Sequence, residues 1–367
     1  MTGKSSTKRV FGELHAQFYL QLESFVLDAE FRAPSRGVTA LFGPSGSGKT
    51  TLLRCIAGLE RSDGKFFISD EIWQDGTTFV TTDQRNLGYV FQEASLFSHM
   101  SVRANLEFGY KRIEPKERKV QLEQVVEWLG LSSLVERHNP ALLSGGERQR
   151  IAIGRALLTS PSILLMDEPL SALDTKSKQD IFPYLERLHR ELEIPMLYVS
   201  HSLDEVSRLA DHLVLMDQGR VIATGALQTM LARLDLPTAH FDDAGAVIEA
   251  TVGQLDETYQ LTQLDFSGGS LWVGKVNLPS GSLIRARVLA RDVSIATYQP
   301  HGSSITNILN ARIAEIHDEG VDKVMVQMQV GDSSVLLSRI TRRSRDVLGL
   351  KSGMEVFAQV KSVALMS

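Results

Sequence analysis

Cysteine is nearly absent: Cys55 is the only one in 367 residues, so no intrachain disulfide staples the fold. Long apolar runs are missing too, and no stretch has the length needed to cross a bilayer as a helix. The segment Met1–Val10 is basic and polar, with no apolar signal-peptide core after it. Charge of one sign does not prevail. A net charge of −5 offers no reason to expect nucleic acid as a partner, and Arg342-Arg343-Ser344-Arg345 reads as a solvated face. No low-complexity tract or fixed-period repeat stands out. These absences predict a cytosolic protein that reaches a membrane only through partners. What is present suits two or three soluble domains with an ample core: 43% of the residues are apolar and 23% charged.

The most informative stretch is Gly43-Pro44-Ser45-Gly46-Ser47-Gly48-Lys49-Thr50, between the apolar run Val38–Phe42 and a helical pattern over Thr51–Gly58. It fits G-x-x-x-x-G-K-[ST], a phosphate loop in its strand–loop–helix setting. Glycines let the backbone turn so that amides converge on phosphate oxygens, at a helix start where an anion is favoured. Lys49 supplies a mobile positive charge for the β- and γ-phosphates, Thr50 a hydroxyl for Mg²⁺, and Thr51 continues the nucleotide-binding run. Cys55, within that helix, reads as a small buried apolar residue.

Two further stretches say what kind of nucleotide site this is. Ser144-Gly145-Gly146, in Leu143–Gln149, opens a helix that continues through Ile151–Leu158 and stops before Pro161. Ile163–Met166 then reads as a fully buried strand running into Asp167 and Glu168. With the phosphate loop, these resemble the signature and Walker B motifs of ATP-binding cassette (ABC) ATPases. The resemblance implies that Asp167 binds Mg²⁺ and that Glu168 faces the attacking water as the catalytic base. It also makes Gln92, in Tyr89-Val90-Phe91-Gln92, the Q-loop glutamine that senses Mg²⁺ and water. Asp174, in Ser171-Ala172-Leu173-Asp174, becomes the D-loop acid at the nucleotide. His201, after the apolar strand Met196–Val199, becomes the histidine that contacts the γ-phosphate. Tyr19 and Phe25 are the two candidates for the aromatic that stacks on adenine.

The fold class expected is an α/β P-loop NTPase, an ABC cassette with a helical subdomain, followed by an all-β, OB-like C-terminal region. Residues 1–235 carry alternating strand and helix patterns, as in a parallel sheet. Val102–Leu143 is helix-rich, and Leu213–Ile222 reads as strand–turn–strand. Residues 240–298 read as short strands separated by turns, and 303–367 as a further β-rich unit with a short helix over Arg342–Leu348.

Residues 303–367 resemble the molybdate-binding Mop, or TOBE-type, domain in Asn307–Ile313, Asp346–Leu350 and Val356–Ser362. Together with the cassette, nearly the whole chain resembles the ATP-binding subunits of molybdate importers. That implies ATP and Mg²⁺ as cofactors and a head-to-tail homodimer, with two transmembrane permease subunits as partners. It also implies an indirect link to an extracytoplasmic molybdate-binding protein, and a peripheral place on the cytoplasmic face of the inner membrane. Two readings stand for the tail. In one, Ser303, Thr306, Lys361 and Ser362 bind an oxyanion such as molybdate or tungstate. In the other, the barrel only stabilises the dimer, because Ser304-Ile305-Thr306-Asn307 lacks the cation of the Ser-Ala-Arg-Asn found in stand-alone Mop proteins. An importer of sulfate, iron, a polyamine or a sugar with a structural tail is the alternative.

The phosphate loop makes one expectation directly testable. Lys49→Ala should weaken ATP binding by about 1.5–3 kcal/mol, the scale of a hydrogen bond to a charged group. Unchanged affinity in a calorimetric titration would remove Lys49 from the phosphate site.

Overall fold

A computed structural model describes residues 12–366; Met1–Val10 lies outside the described residues. The chain divides into two compact units, Met1–Gly225 and Ala226–Ser367.

The first unit is built on one ten-stranded sheet. Its strands are β1 (Glu13–Gln21), β2 (Val26–Pro34), β3 (Gly37–Phe42), β4 (Asp63–Ile68) and β5 (Glu71–Gln74), then β6 (Leu87–Val90), β7 (Ile163–Asp167), β8 (Pro195–Ser200), β9 (His212–Asp217) and β10 (Arg220–Ala226). They lie in the order β5-β4-β1-β2-β10-β9-β3-β8-β7-β6. Strands β6, β7, β8, β3 and β9 run parallel, whereas β1, β2, β4 and β5 pair antiparallel. The sheet is therefore mixed rather than wholly parallel. The cause is visible in burial. Every residue of β7 and β8 is buried, as befits strands covered on both faces; β2 alternates, with Leu27, Ala29, Phe31 and Ala33 inward. Only the first kind of strand needs helical crossovers.

Those crossovers are α1 (Lys49–Ala57), α2 (Val102–Tyr110), α3 (Leu122–Trp128), α4 (Gly145–Leu157), α5 (Thr175–Glu191) and α6 (Leu203–Leu209). The first buries Leu52, Leu53, Cys55 and Ile56 in the main core with Leu41, Leu165 and Val199 from the strands. Its C-terminal carbonyls, Cys55 and Ile56, are held by the buried Arg85 guanidinium. The helix-rich stretch over 102–143 contains α2 and α3, and α4 starts at Gly145 as the signature pattern predicts.

The second unit opens with α7 (Leu227–Ala232). Two five-stranded sheets follow. One joins β11 (Gly245–Asp256), β12 (Leu261–Phe266), β13 (Gly269–Gly274), β14 (Leu283–Leu289) and β20 (Ala364–Met366). The other joins β15 (Val293–Ala296), β16 (Asn307–Glu319), β17 (Lys323–Val330), β18 (Ser334–Thr341) and β19 (Glu355–Val360). A helix, α8 (Arg342–Leu348), ends at Gly349 as expected.

The boundaries differ from those read off the sequence. The first unit ends at Gly225, before the expected 235, because α7 and the segment after it pack inward: Leu234 and Ala239 share a buried cluster with Ala244, Met325 and Leu337. The division between 240–298 and 303–367 is also crossed. Strand β15 pairs with β19, and β20 returns to pair with β14.

Cys55 is 0% exposed, and burial pushes its thiol pKa up. It should therefore react with a thiol reagent only as the protein unfolds. Fast labelling of the native chain would contradict this packing.

Candidate functional site

The chemistry collects where buried parallel strands end. Strand β3 stops at Phe42, and the loop over 43–48 leads into α1. The loop passes too close to its neighbours for side chains. A Cβ on Gly43 would lie 2.1 Å from the Met216 carbonyl oxygen, and one on Gly48 would lie 2.6 Å from Phe25 Cζ. Gly48 also has φ +97°, so only glycine holds that turn without strain. Lys49 folds back over the loop: its Nζ donates to the carbonyls of Gly43 (2.9 Å) and Pro44 (2.8 Å) and to Ser47 Oγ (3.4 Å). Burial lowers its pKa, while the nearby Glu168 and Asp167 carboxylates work in the opposite direction.

Strand β7 delivers the acids. Asp167 is 7% exposed, and both of its oxygens are engaged. Thr50 Oγ1 donates to Oδ1 at 2.8 Å, and the Tyr89 hydroxyl donates to Oδ2 at 3.3 Å. Burial raises the Asp167 pKa; the two hydroxyls oppose that shift by favouring the ionised form. Glu168 leaves the strand with φ +43°, the left-handed region that costs a non-glycine residue about 1–2 kcal/mol. Its backbone is clamped in place: the N–H donates to Val199 O (3.2 Å), and the carbonyl accepts from Ser171 N–H (3.1 Å) and Ser171 Oγ (2.9 Å). The turn after β8 carries His201, whose Nδ1 lies 3.3 Å from Glu168 Oε2.

A cleft of about 430 Å³ opens at this point, lined by Leu22, Phe25, Ser45, Gly46, Gly48, Lys49, Thr50, Thr51 and Glu168. Of the two aromatic candidates, Phe25 is on the cleft wall, at the β1–β2 turn. Tyr19 is not among the lining residues and is 48% exposed.

Other predicted site residues gather elsewhere. Gln92 lines a second cleft of about 280 Å³ with Ser95, Gly145, Arg148, Pro169 and Leu173. Ser144 is the N-cap of α4: its hydroxyl accepts from Glu147 N–H (3.2 Å), and Glu147 Oε2 accepts from Ser144 N–H (2.7 Å). Gly146 is buried in the first turn of α4. Asp174 caps α5, and hydrogen bonds from the Ser177 hydroxyl and amide hold its carboxyl below the usual range. Ser144, Gly145, Gly146 and Asp174 are not among the residues lining the first cleft.

In the second unit Ser303, Thr306, Lys361 and Ser362 are all exposed. Asn307 pairs with Val360, which brings Thr306 and Lys361 to the same end of the β16–β19 pair. Ser303 Oγ is used within its own turn, accepting from Ile305 N–H at 3.1 Å.

Sequence patterning missed Tyr89 as a site residue. Its signal was the parallel register of β6 on β7, Tyr89 opposite Leu165, which lets a long side chain reach the end of the neighbouring strand. As a donor set, Asp167 and Thr50 present hard oxygens of the kind that suit Mg²⁺.

Residues 26–171 match the ABC transporter family, and 303–366 match the TOBE domain. The molybdenum import ATP-binding protein ModC of Methylococcus capsulatus is 57% identical over 356 residues, covering 96% of this chain and 99% of its own. Its namesake from Aromatoleum aromaticum is 54% identical over 356 residues, with 96% and 94% covered. Among solved structures, cbiO1 of Clostridium perfringens, part of the ABC transporter complex cbiONQ, overlaps 60% of this chain and 90% of its own. Its TM-score is 0.52 at 24% identity, a likeness of fold alone. Matched almost end to end at such identity, the chain belongs to the molybdenum import ATP-binding family of ABC transporter proteins.

Proposed function

We propose that this chain is the ATP-hydrolysing subunit that powers molybdate import through a membrane permease. The observation that carries the ATPase reading is that Lys49, Thr50 and Glu168 line one cleft, with Asp167 hydrogen-bonded to Thr50 and His201 beside Glu168. Lys49 meets the β- and γ-phosphates, and loop amides from Gly43 to Thr51 surround them. Thr50 and Asp167 would hold Mg²⁺, and the ion would neutralise phosphate charge; Gln92 lines the second cleft and is not among the residues lining this one. Phe25 offers its ring to adenine at the rim.

Glu168 takes the proton of the attacking water, whose oxygen bonds to the γ-phosphorus as the bond to the ADP oxygen breaks. His201, beside Glu168, contacts the γ-phosphate. Positioning supplies most of the rate, since loose phosphoryl transfer needs little covalent help.

The amides of Ser144–Gly146 and the loop at Asp174 stand apart from the cleft of their own chain. This favours a head-to-tail homodimer in which each copy closes the other's nucleotide site. ATP would hold the pair shut, hydrolysis would release it, and two permease subunits would follow the motion from the cytoplasmic face of the inner membrane. Among the described residues no helix is long and apolar enough to cross a membrane. An extracytoplasmic binding protein would deliver the anion. The substrate rests on the names of the relatives and on the tail, where Ser303, Thr306, Lys361 and Ser362 are the candidate oxyanion ligands.

Glu168→Gln should keep ATP binding and dimer closure while lowering turnover by at least about a hundredfold, the low end of a general base's contribution. Near-normal hydrolysis would remove Glu168 as the base. Calorimetric titration of the full chain with molybdate, tungstate and sulfate tests the tail. Binding of the first two alone is expected, and silence to all three would leave the tail structural.

A further inference from the structure

Behind the turn that carries His201 lies a buried anion that the hydrolytic reading does not use. Glu205, in α6, is 4% exposed. Its Oε2 accepts from the hydroxyls of Tyr198 and Ser200, each at 2.9 Å, and its Oε1 accepts from Lys178 Nζ at 2.8 Å. Ser200 Oγ also accepts from the Ser202 N–H at 3.0 Å, and Ser202 Oγ accepts from the Glu205 N–H at 3.4 Å. Both chain neighbours of His201 are thus tied, directly or through one hydroxyl, to a single carboxylate. Tyr198 is a lasting donor, because burial and then the Glu205 charge drive its pKa well above the ordinary phenol value.

The third donor belongs to a different element. Lys178 lies in the first turns of α5, and its N–H donates to the Asp174 carbonyl at 2.9 Å. Asp174 ends the loop that begins immediately after Glu168. One ion pair therefore bridges the two segments that flank the 3.3 Å contact between Glu168 and His201. Neither Glu205 nor Lys178 lines the nucleotide cleft. A pair of this kind, with Glu205 buried and Lys178 partly exposed, adds little net stability over apolar packing, which leaves geometry as its use.

We propose that the Glu205–Lys178 pair is a positioning brace for ATP hydrolysis, holding the His201 turn in register with the N-terminus of α5 without helping to bind nucleotide. The proposal rests on the roles given above to Glu168 and His201. A brace has a distinctive kinetic signature: it changes kcat and leaves nucleotide affinity alone.

The test uses the full chain and five variants: the brace variants Glu205→Gln, Lys178→Met and the two combined, the conservative Lys178→Arg, and His201→Ala. Each brace variant should lower kcat about tenfold or more, with ATP affinity and KM within twofold of wild type. The double variant should be no slower than the slower single one, since both remove the same contact. Lys178→Arg should restore most of the rate. Thermal unfolding confirms that each variant is folded, and Lys178, with 27% of its side chain exposed, tolerates truncation if Glu205→Gln folds poorly. Wild-type kcat in Glu205→Gln and Lys178→Met, alongside an inactive His201→Ala, would overturn the brace alone. A fall in kcat matched by an equal loss of ATP affinity would overturn it too, as general disruption. Full activity in His201→Ala would instead sink the assignment on which the brace depends.

Discussion

The hydrogen bond from Thr50 to Asp167 joins the two elements on whose register the site depends. Thr50 opens the helix after the phosphate loop, and Asp167 ends a strand buried on both faces. Because β3, β7 and β8 have apolar faces on both sides, charge can enter only where these strands stop. The amides of the 43–48 loop, Asp167, Glu168 and His201 therefore emerge at one edge of the sheet, the crevice beyond the carboxyl ends of parallel strands where such folds bind ligands. Sliding β7 by one residue toward its C-terminal end would place Met166 at Thr50 and leave that hydroxyl without its carboxylate.

The balance of charge around that bond is close. Burial acts against ionisation at Asp167 and against protonation at Lys49; the Thr50 and Tyr89 hydroxyls oppose it at Asp167, and the Glu168 and Asp167 carboxylates oppose it at Lys49. Glu168 adds a backbone cost. Three hydrogen bonds to its main chain, at roughly 0.5–1.5 kcal/mol each, are enough to offset about 1–2 kcal/mol of left-handed strain. Such strain is retained where a side chain must leave a strand abruptly, and here it turns Glu168 toward His201 instead of into the core.

How much of this was legible in sequence depended on distance along the chain. Gly43–Thr50 and Ile163–Glu168 each carry local patterns, and strand, loop and helix fall where those patterns place them. The antiparallel strands at the start read from sequence as part of a parallel sheet, because alternation in β1 and β2 says which face is buried but not which neighbour pairs. Tyr19 and Phe25 could not be separated by spacing alone, since a turn at 22–25 decides which ring reaches the loop. Lys178 and Glu205 are 27 positions apart, on different helices, and nothing local in either segment announces the pair.

The C-terminal unit shows the same limit at a larger scale. Motifs near 307–313 and 356–362 are readable because β16 and β19 are neighbours, and Lys361 and Ser362 follow where the chain leaves that pair. The way the sheets share strands is not readable. Strand β15 is laid beside β19 before β16 begins, and β20 crosses back to β14 after β19 ends. Cutting the chain near residue 300 would therefore strip an edge from each sheet and expose unpaired backbone on both, a cost no side chain recovers. Lys361 and Ser362 lie on that returning connection, so their geometry is set by both sheets together. Any affinity of the tail for an oxyanion is accordingly a property of the whole unit from 226 onward, and not of the 303–367 stretch in which its motifs are written.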